Sequence, residues 1–76
     1  MEAFIQSLNH MQSAREVRVA VQKAYPLSTI NNDNDDVILI DLHNGHMVSI
    51  ERVLPSLVNR YSSYLYSTKD HRCVIL

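Results

Sequence analysis

The chain has 76 residues, of which 46% are hydrophobic and 20% charged, and its formal net charge is −1 at pH 7. This composition is typical of a single small globular domain over residues 1–76 and excludes a collagen-like or disordered chain. The near-neutral charge provides no bulk attraction to nucleic acid or to anionic membranes. One cysteine excludes an intrachain disulfide and a cysteine-based zinc site within one chain.

Residues 2–24 are predicted to be helical. Apolar side chains recur there at helical spacings of four and three, at Phe4, Leu8 and Met11. Ser13 followed by Glu16 fits a capping box, which predicts a kink or second helix start near residue 13. Valines alternate over residues 17–21 and would also suit a strand, but the capping box and the alanines favour a helix. Pro26 ends the segment because the residue before a proline avoids helical dihedral angles.

A β-hairpin is predicted in the middle of the chain. Residues 37–42 and 46–51 are apolar, strand-like runs on either side of Asn44-Gly45. Asn-Gly between two such runs is the strongest short hairpin signal, because a type I′ turn needs a positive φ at both central positions. We therefore predict a hairpin with a two-residue Asn44-Gly45 turn.

The remaining segments complete an α+β fold. Residues 54–67 are predicted to form a C-terminal helix, since Pro55 suits a first helical turn and apolar residues follow one stripe, at Leu54, Val58, Tyr61 and Leu65. Residues 27–30 are expected to form an additional short strand. Residues 68–76 are expected to be a flexible tail or a short terminal strand. The predicted order is N-terminal helix, hairpin and C-terminal helix, with this short strand added.

The predicted turn also assigns the two faces of the hairpin, because a two-residue turn fixes the register. Val48 and Ile50 would point toward the core. The opposite face would then carry large apolar side chains that two helices do not easily cover, and such patches usually mark interaction sites. With a polar rim, these residues are the candidate partner-binding surface: Ile38, Ile40, Leu42, Met47, Ser49 and Glu51. One helix packed on each side of the hairpin is the alternative and would bury them.

The sequence offers little chemistry for catalysis. His43 and His46 are weak candidate metal ligands, since the turn would place them opposite each other, but two ligands do not make a site. We therefore predict no metal and no cofactor. No pattern combines a nucleophile, a base and oxyanion donors, so we predict that the protein is not an enzyme.

The leading functional prediction is a cytoplasmic module that binds another protein, including a second copy of itself. It could serve as an inhibitor, an adaptor or a phage or virion accessory factor. One alternative is a nucleic-acid-binding transcriptional regulator that uses Arg15, Arg18 and Lys23. A second alternative is membrane tethering by a prenyl group on Cys73, because the last four residues fit the C-a-a-X pattern. The chain has no apolar run of the ~20 residues that cross a bilayer.

Overall fold

A computed structural model describes residues 1–31, 34–53 and 60–76. These residues form one antiparallel sheet with helices on one side of it. The elements in chain order are helix α1 (Glu2–Ser7), the 3-10 turn η1 (Leu8–His10), helix α2 (Ala14–Ala24) and strands β1 (Thr29–Ile30), β2 (Val37–Asp41), β3 (His46–Arg52), β4 (Tyr61–Ser67) and β5 (Arg72–Ile75). The strands lie in sequence order from β1 to β5. The α+β class is confirmed, with more strand and less helix than the sequence predicts.

The predicted break near residue 13 is confirmed. Ser13 is extended, with φ −150° and ψ 160°, and its hydroxyl accepts a hydrogen bond from the Glu16 amide over 3.3 Å. The Glu16 carboxylate accepts from the Gln12 amide over 2.9 Å, one residue earlier than in a standard capping box. Residues 14–24 are helical, with Val17 buried and Val19 57% exposed. The alternating valines therefore belong to opposite sides of a helix.

Replacing Ser13 by alanine is expected to lower the free energy of unfolding by about 1 kcal/mol, since it removes the acceptor that caps α2. Urea unfolding followed by circular dichroism measures this change. Ser7→Ala is the matched control, because the Ser7 hydroxyl donates to the Phe4 carbonyl on an exposed helix surface and caps no helix start. Equal losses in the two variants would contradict the capping role of Ser13.

The predicted C-terminal helix is wrong where the structure describes it. Residues 61–67 are β4, paired with β3 from His46↔Ser67 to Arg52↔Tyr61; residues 54–59 of the prediction lie outside the described residues. Tyr61 and Leu65 fit a helical stripe because they are four residues apart. A spacing of four also places two side chains on one face of a strand. The alternative of a terminal strand within residues 68–76 is confirmed by β5.

The loop between β2 and β3 is one residue longer than predicted. The Leu42 amide donates to the His46 carbonyl over 3.1 Å, which leaves residues 43–45 as the loop. Positive φ angles occur at His43 (56°) and Gly45 (89°). The Asp41 carboxylate accepts from the His43 amide over 2.8 Å and stabilises the wider loop. The register is therefore shifted by one residue from the prediction, and Ile40 lies opposite Val48 rather than Ser49.

This register determines which face of the sheet becomes the core. Val48 and Ile50 are buried, as predicted, together with their opposite neighbours Ile40 and Ile38. The helices contribute buried side chains to the same cluster: Ile5, Leu8, Ala14, Val17 and Val21. We call this side of the sheet the inner face. No buried hydrophobic residue among the described ones belongs to the opposite side, the outer face.

Candidate functional site

The predicted partner-binding residues are divided between the two faces of the sheet. Those that precede the loop lie in the core and cannot form a surface in the folded chain: Ile38, Ile40 and Leu42, at most 5% exposed. The others lie on the outer face: Met47, Ser49 and Glu51. The reason is the longer loop, because a slip of one residue moves every side chain of a strand to the other face.

The outer face carries large side chains from four neighbouring strands. The cross-strand pairs Leu39↔Ser49, Ser49↔Tyr64 and Tyr64↔Ile75 form one row across it. The adjacent row contains Met47, Tyr66 and Cys73. Leu39 is 37% exposed, Tyr66 40% and Ile75 72%. The outer face is thus a partly apolar surface open to a partner, in which Ser49 is only 6% exposed. Its other members are Leu39, Met47, Tyr64, Tyr66, Cys73 and Ile75.

A shallow groove of about 470 Å³ runs along one end of the outer face. Its floor contains Leu39, Met47 and Tyr66, and its rim includes Thr68 from the β4–β5 connection and Arg72 at the start of β5. An apolar floor with a polar rim is the arrangement found in protein-binding patches. The groove therefore extends the outer face rather than forming a separate enclosed site.

Sequence reasoning missed the contribution of the later strands to this surface. The predicted C-terminal helix contains Tyr64 and Tyr66, and Ile75 falls in the segment predicted to be a flexible tail or a short terminal strand. Residues 61–67 show no clean alternation, and the available signal was their three tyrosines, a residue type that is enriched in strands. Read as a strand, that segment would have placed Tyr64 and Tyr66 on one face.

Tyr66 and Cys73 are direct cross-strand neighbours on the outer face. Partial burial raises the pKa of the Tyr66 phenol, and the adjacent Cys73, which shares a hydrogen bond with it, raises the pKa further. The phenol is therefore neutral at physiological pH. Cys73 itself is an exposed free thiol in the middle of β5. Its prenylation stays an alternative hypothesis.

The two candidate metal-binding histidines do not face each other. His43 lies in the loop, with its Nε2 2.8 Å from the Thr29 hydroxyl and its Nδ1 3.6 Å from the Asp41 carboxylate. His46 begins β3, opposite Leu42. Within residues 1–31, 34–53 and 60–76, no group of three or more His, Cys, Asp or Glu side chains is arranged to hold a metal ion. The contacts of His43 connect the loop to edge strand β1.

The candidate nucleic-acid-binding cations lie on α2. Arg15 and Lys23 are exposed. Arg18 forms an ion pair of 3.1 Å with Asp35 in the loop that precedes β2. That carboxylate offsets one of the three positive charges, which reduces the phosphate attraction this helix could supply.

Comparisons with known proteins give no guide to function. The chain matches no protein-family model, no curated protein and no solved structure. None of the described helices has the length and apolar character needed to cross a membrane. The functional argument therefore depends on the surface of the sheet.

Proposed function

We propose that this protein is a non-enzymatic module that binds another protein through the outer face of its sheet. One observation carries the proposal: large apolar side chains are exposed together on a face that the described helices do not cover, at Leu39, Tyr66 and Ile75. A sheet with one face against helices and the other open commonly has a polar open face. A contiguous apolar patch there is typical of an interaction site.

The composition of the outer face favours a protein partner over nucleic acid. Asp41 and Glu51 place carboxylates beside the patch, opposite Met47 and Ser62 in the register, and carboxylates repel phosphate. Tyrosine is among the residues that contribute most to protein interfaces, because a large apolar ring and a hydroxyl are combined in one rigid side chain. Leu39 and Tyr66 are the expected anchors, with Glu51 beside them, while Ser49 is buried on this face.

Leu39→Asp is expected to reduce partner binding at least about tenfold, which corresponds to about 1.4 kcal/mol, because it places a charge in the patch. The tagged wild-type chain and the variant are used to capture proteins from the source cells. The dissociation constant of any partner captured in stoichiometric amount is then measured by titration.

Val19→Asp is the matched control, since Val19 is 57% exposed on α2, which packs on the inner face. We expect this variant to bind the partner as the wild type does. A partner that is lost with Val19→Asp and retained with Leu39→Asp would contradict the proposal. So would the failure to find any stoichiometric partner.

A further inference from the structure

The two edges of the sheet differ in how well they are protected from pairing with a strand of another chain. β1 is only two residues long, whereas all four residues of β5 are exposed. Natural edge strands usually discourage pairing by charges, prolines, bulges or short length. β5 carries one charge, on Arg72 at its first position, followed by Cys73, Val74 and Ile75. Among the described strands, β5 is thus the edge best suited to pairing with another strand.

The backbone of β5 has polar groups directed away from the sheet. The Leu76 amide donates to the Ser63 carbonyl over 2.9 Å. Since hydrogen-bonded pairs alternate along an antiparallel ladder, Val74 and Arg72 also bond to β4. The amide and carbonyl groups of Cys73 and Ile75 therefore point to the open edge. They form a row of donors and acceptors that a further strand would satisfy.

We propose that β5 pairs antiparallel with β5 of a second copy about a twofold axis at Val74. In this register Cys73 lies opposite Ile75 of the other copy, so all the outward-directed backbone groups of both residues are hydrogen-bonded. Val74 meets its counterpart on the inner side. This inference rests on the proposed function in one respect, that the protein acts by binding proteins. It adds the identity of the partner at this edge, which is a second copy of the chain.

Charge favours the antiparallel arrangement of two copies. The twofold axis puts the two Arg72 residues at opposite ends of the pair, roughly 14 Å apart at ~3.4 Å per residue. This separation exceeds the Debye length of about 8 Å at physiological ionic strength. A parallel arrangement would instead place the two guanidinium groups side by side.

The edge β1 is a poorer partner for β5. Pairing β5 of one copy with β1 of another would match a strand of four residues with a strand of two. It would also join two different edges, β5 of one copy and β1 of the next. Such head-to-tail contacts assemble copies into open chains unless the copies close into a ring. Pairing of β5 with itself uses the whole strand and closes at two copies.

Light scattering over a range of concentrations, in reducing buffer, tests the proposal. We expect the wild type to dimerise and Ile75→Pro to raise the dimer dissociation constant at least about 100-fold, since proline removes an amide that points to the open edge and is tolerated at sheet edges. Ile75→Thr is the control, because it keeps the amide and should still dimerise. A wild type that stays monomeric at the highest concentration would overturn the proposal without affecting binding at the outer face.

Two further measurements keep the proposal testable if Ile75→Pro fails to fold. Hydrogen exchange of the Cys73 and Ile75 amides in the wild type should slow as the concentration rises. In a Cys73→Ser background, Val74→Cys should form an intermolecular disulfide, since directly opposite non-hydrogen-bonded residues have Cα atoms about 4.5 Å apart. Ile75→Cys in the same background should not form this disulfide.

Loss of the dimer in Leu39→Asp together with its retention in Ile75→Pro would overturn pairing at the edge in favour of contact between outer faces.

Discussion

Ile40→Asp is expected to unfold the protein, whereas Leu39→Asp, one residue earlier, is expected to leave it folded. Ile40 is fully buried against the helices, and Leu39 is 37% exposed on the outer face. Burying an unpaired carboxylate costs several kcal/mol. A domain of this size has roughly 5 kcal/mol of stability or less. Circular dichroism and a urea titration of both variants measure the difference.

The result of this comparison depends directly on the register of the hairpin. A two-residue turn would place Ile40 on the surface and Leu39 in the core, and would therefore predict the reverse. A folded Ile40→Asp together with an unfolded Leu39→Asp would contradict the three-residue loop. Since both variants introduce the same side chain into the same strand, differences in strand propensity cancel.

Leu8→Ala is expected to lower the free energy of unfolding by about 2–5 kcal/mol, the usual cost of truncating a fully buried leucine. Leu8 is 0% exposed in η1. The neighbouring Asn9 side-chain Nδ2 donates to the Leu76 carbonyl over 3.0 Å, and the buried Ser63 hydroxyl donates to the Asn9 Oδ1. The loss of packing at Leu8 therefore also weakens a polar connection between η1 and the last strands.

Leu27→Ala is the matched control for this loss, because it removes the same atoms from a side chain that is 85% exposed. We expect its unfolding midpoint in urea to stay close to that of the wild type. Similar losses in the two variants would mean that Leu8 does not anchor η1 to the core.

The elements that the sequence predicts correctly are those with two independent signals. Helix α2 has both a cap at Ser13 and an apolar stripe that includes Val17 and Val21. Strand β3 has a clean alternation, with Val48 and Ile50 inward and Ser49 outward, and it follows the Asn44-Gly45 hairpin signal. In each case the local pattern agrees with the tertiary contacts of the folded chain.

The elements predicted wrongly are those in which one pattern fits two structures. Tyr61 and Leu65 share a face in a helix and in a strand, and pairing with β3 selects the strand. In β2, Leu39 is as apolar as its neighbours Ile38 and Ile40, so the strand itself does not indicate which side is the core. The three-residue loop 43–45, with positive φ at His43 and Gly45, sets the register that determines this side. The candidate surface was misplaced for this reason.

The connection between the first helix and the last strands has a consequence for the order of assembly. Every pair of adjacent strands in the sheet is consecutive in sequence, and contacts between nearby segments form quickly because little loop entropy is lost. The Ser63 hydroxyl, in contrast, reaches the Ile5 carbonyl across 58 positions of the chain. The sheet can therefore grow strand by strand, while the contact between α1 and Ser63 forms only once β4 is in place. Between the pairing of β4 and the docking of α1, the inner side of β4 is exposed to water.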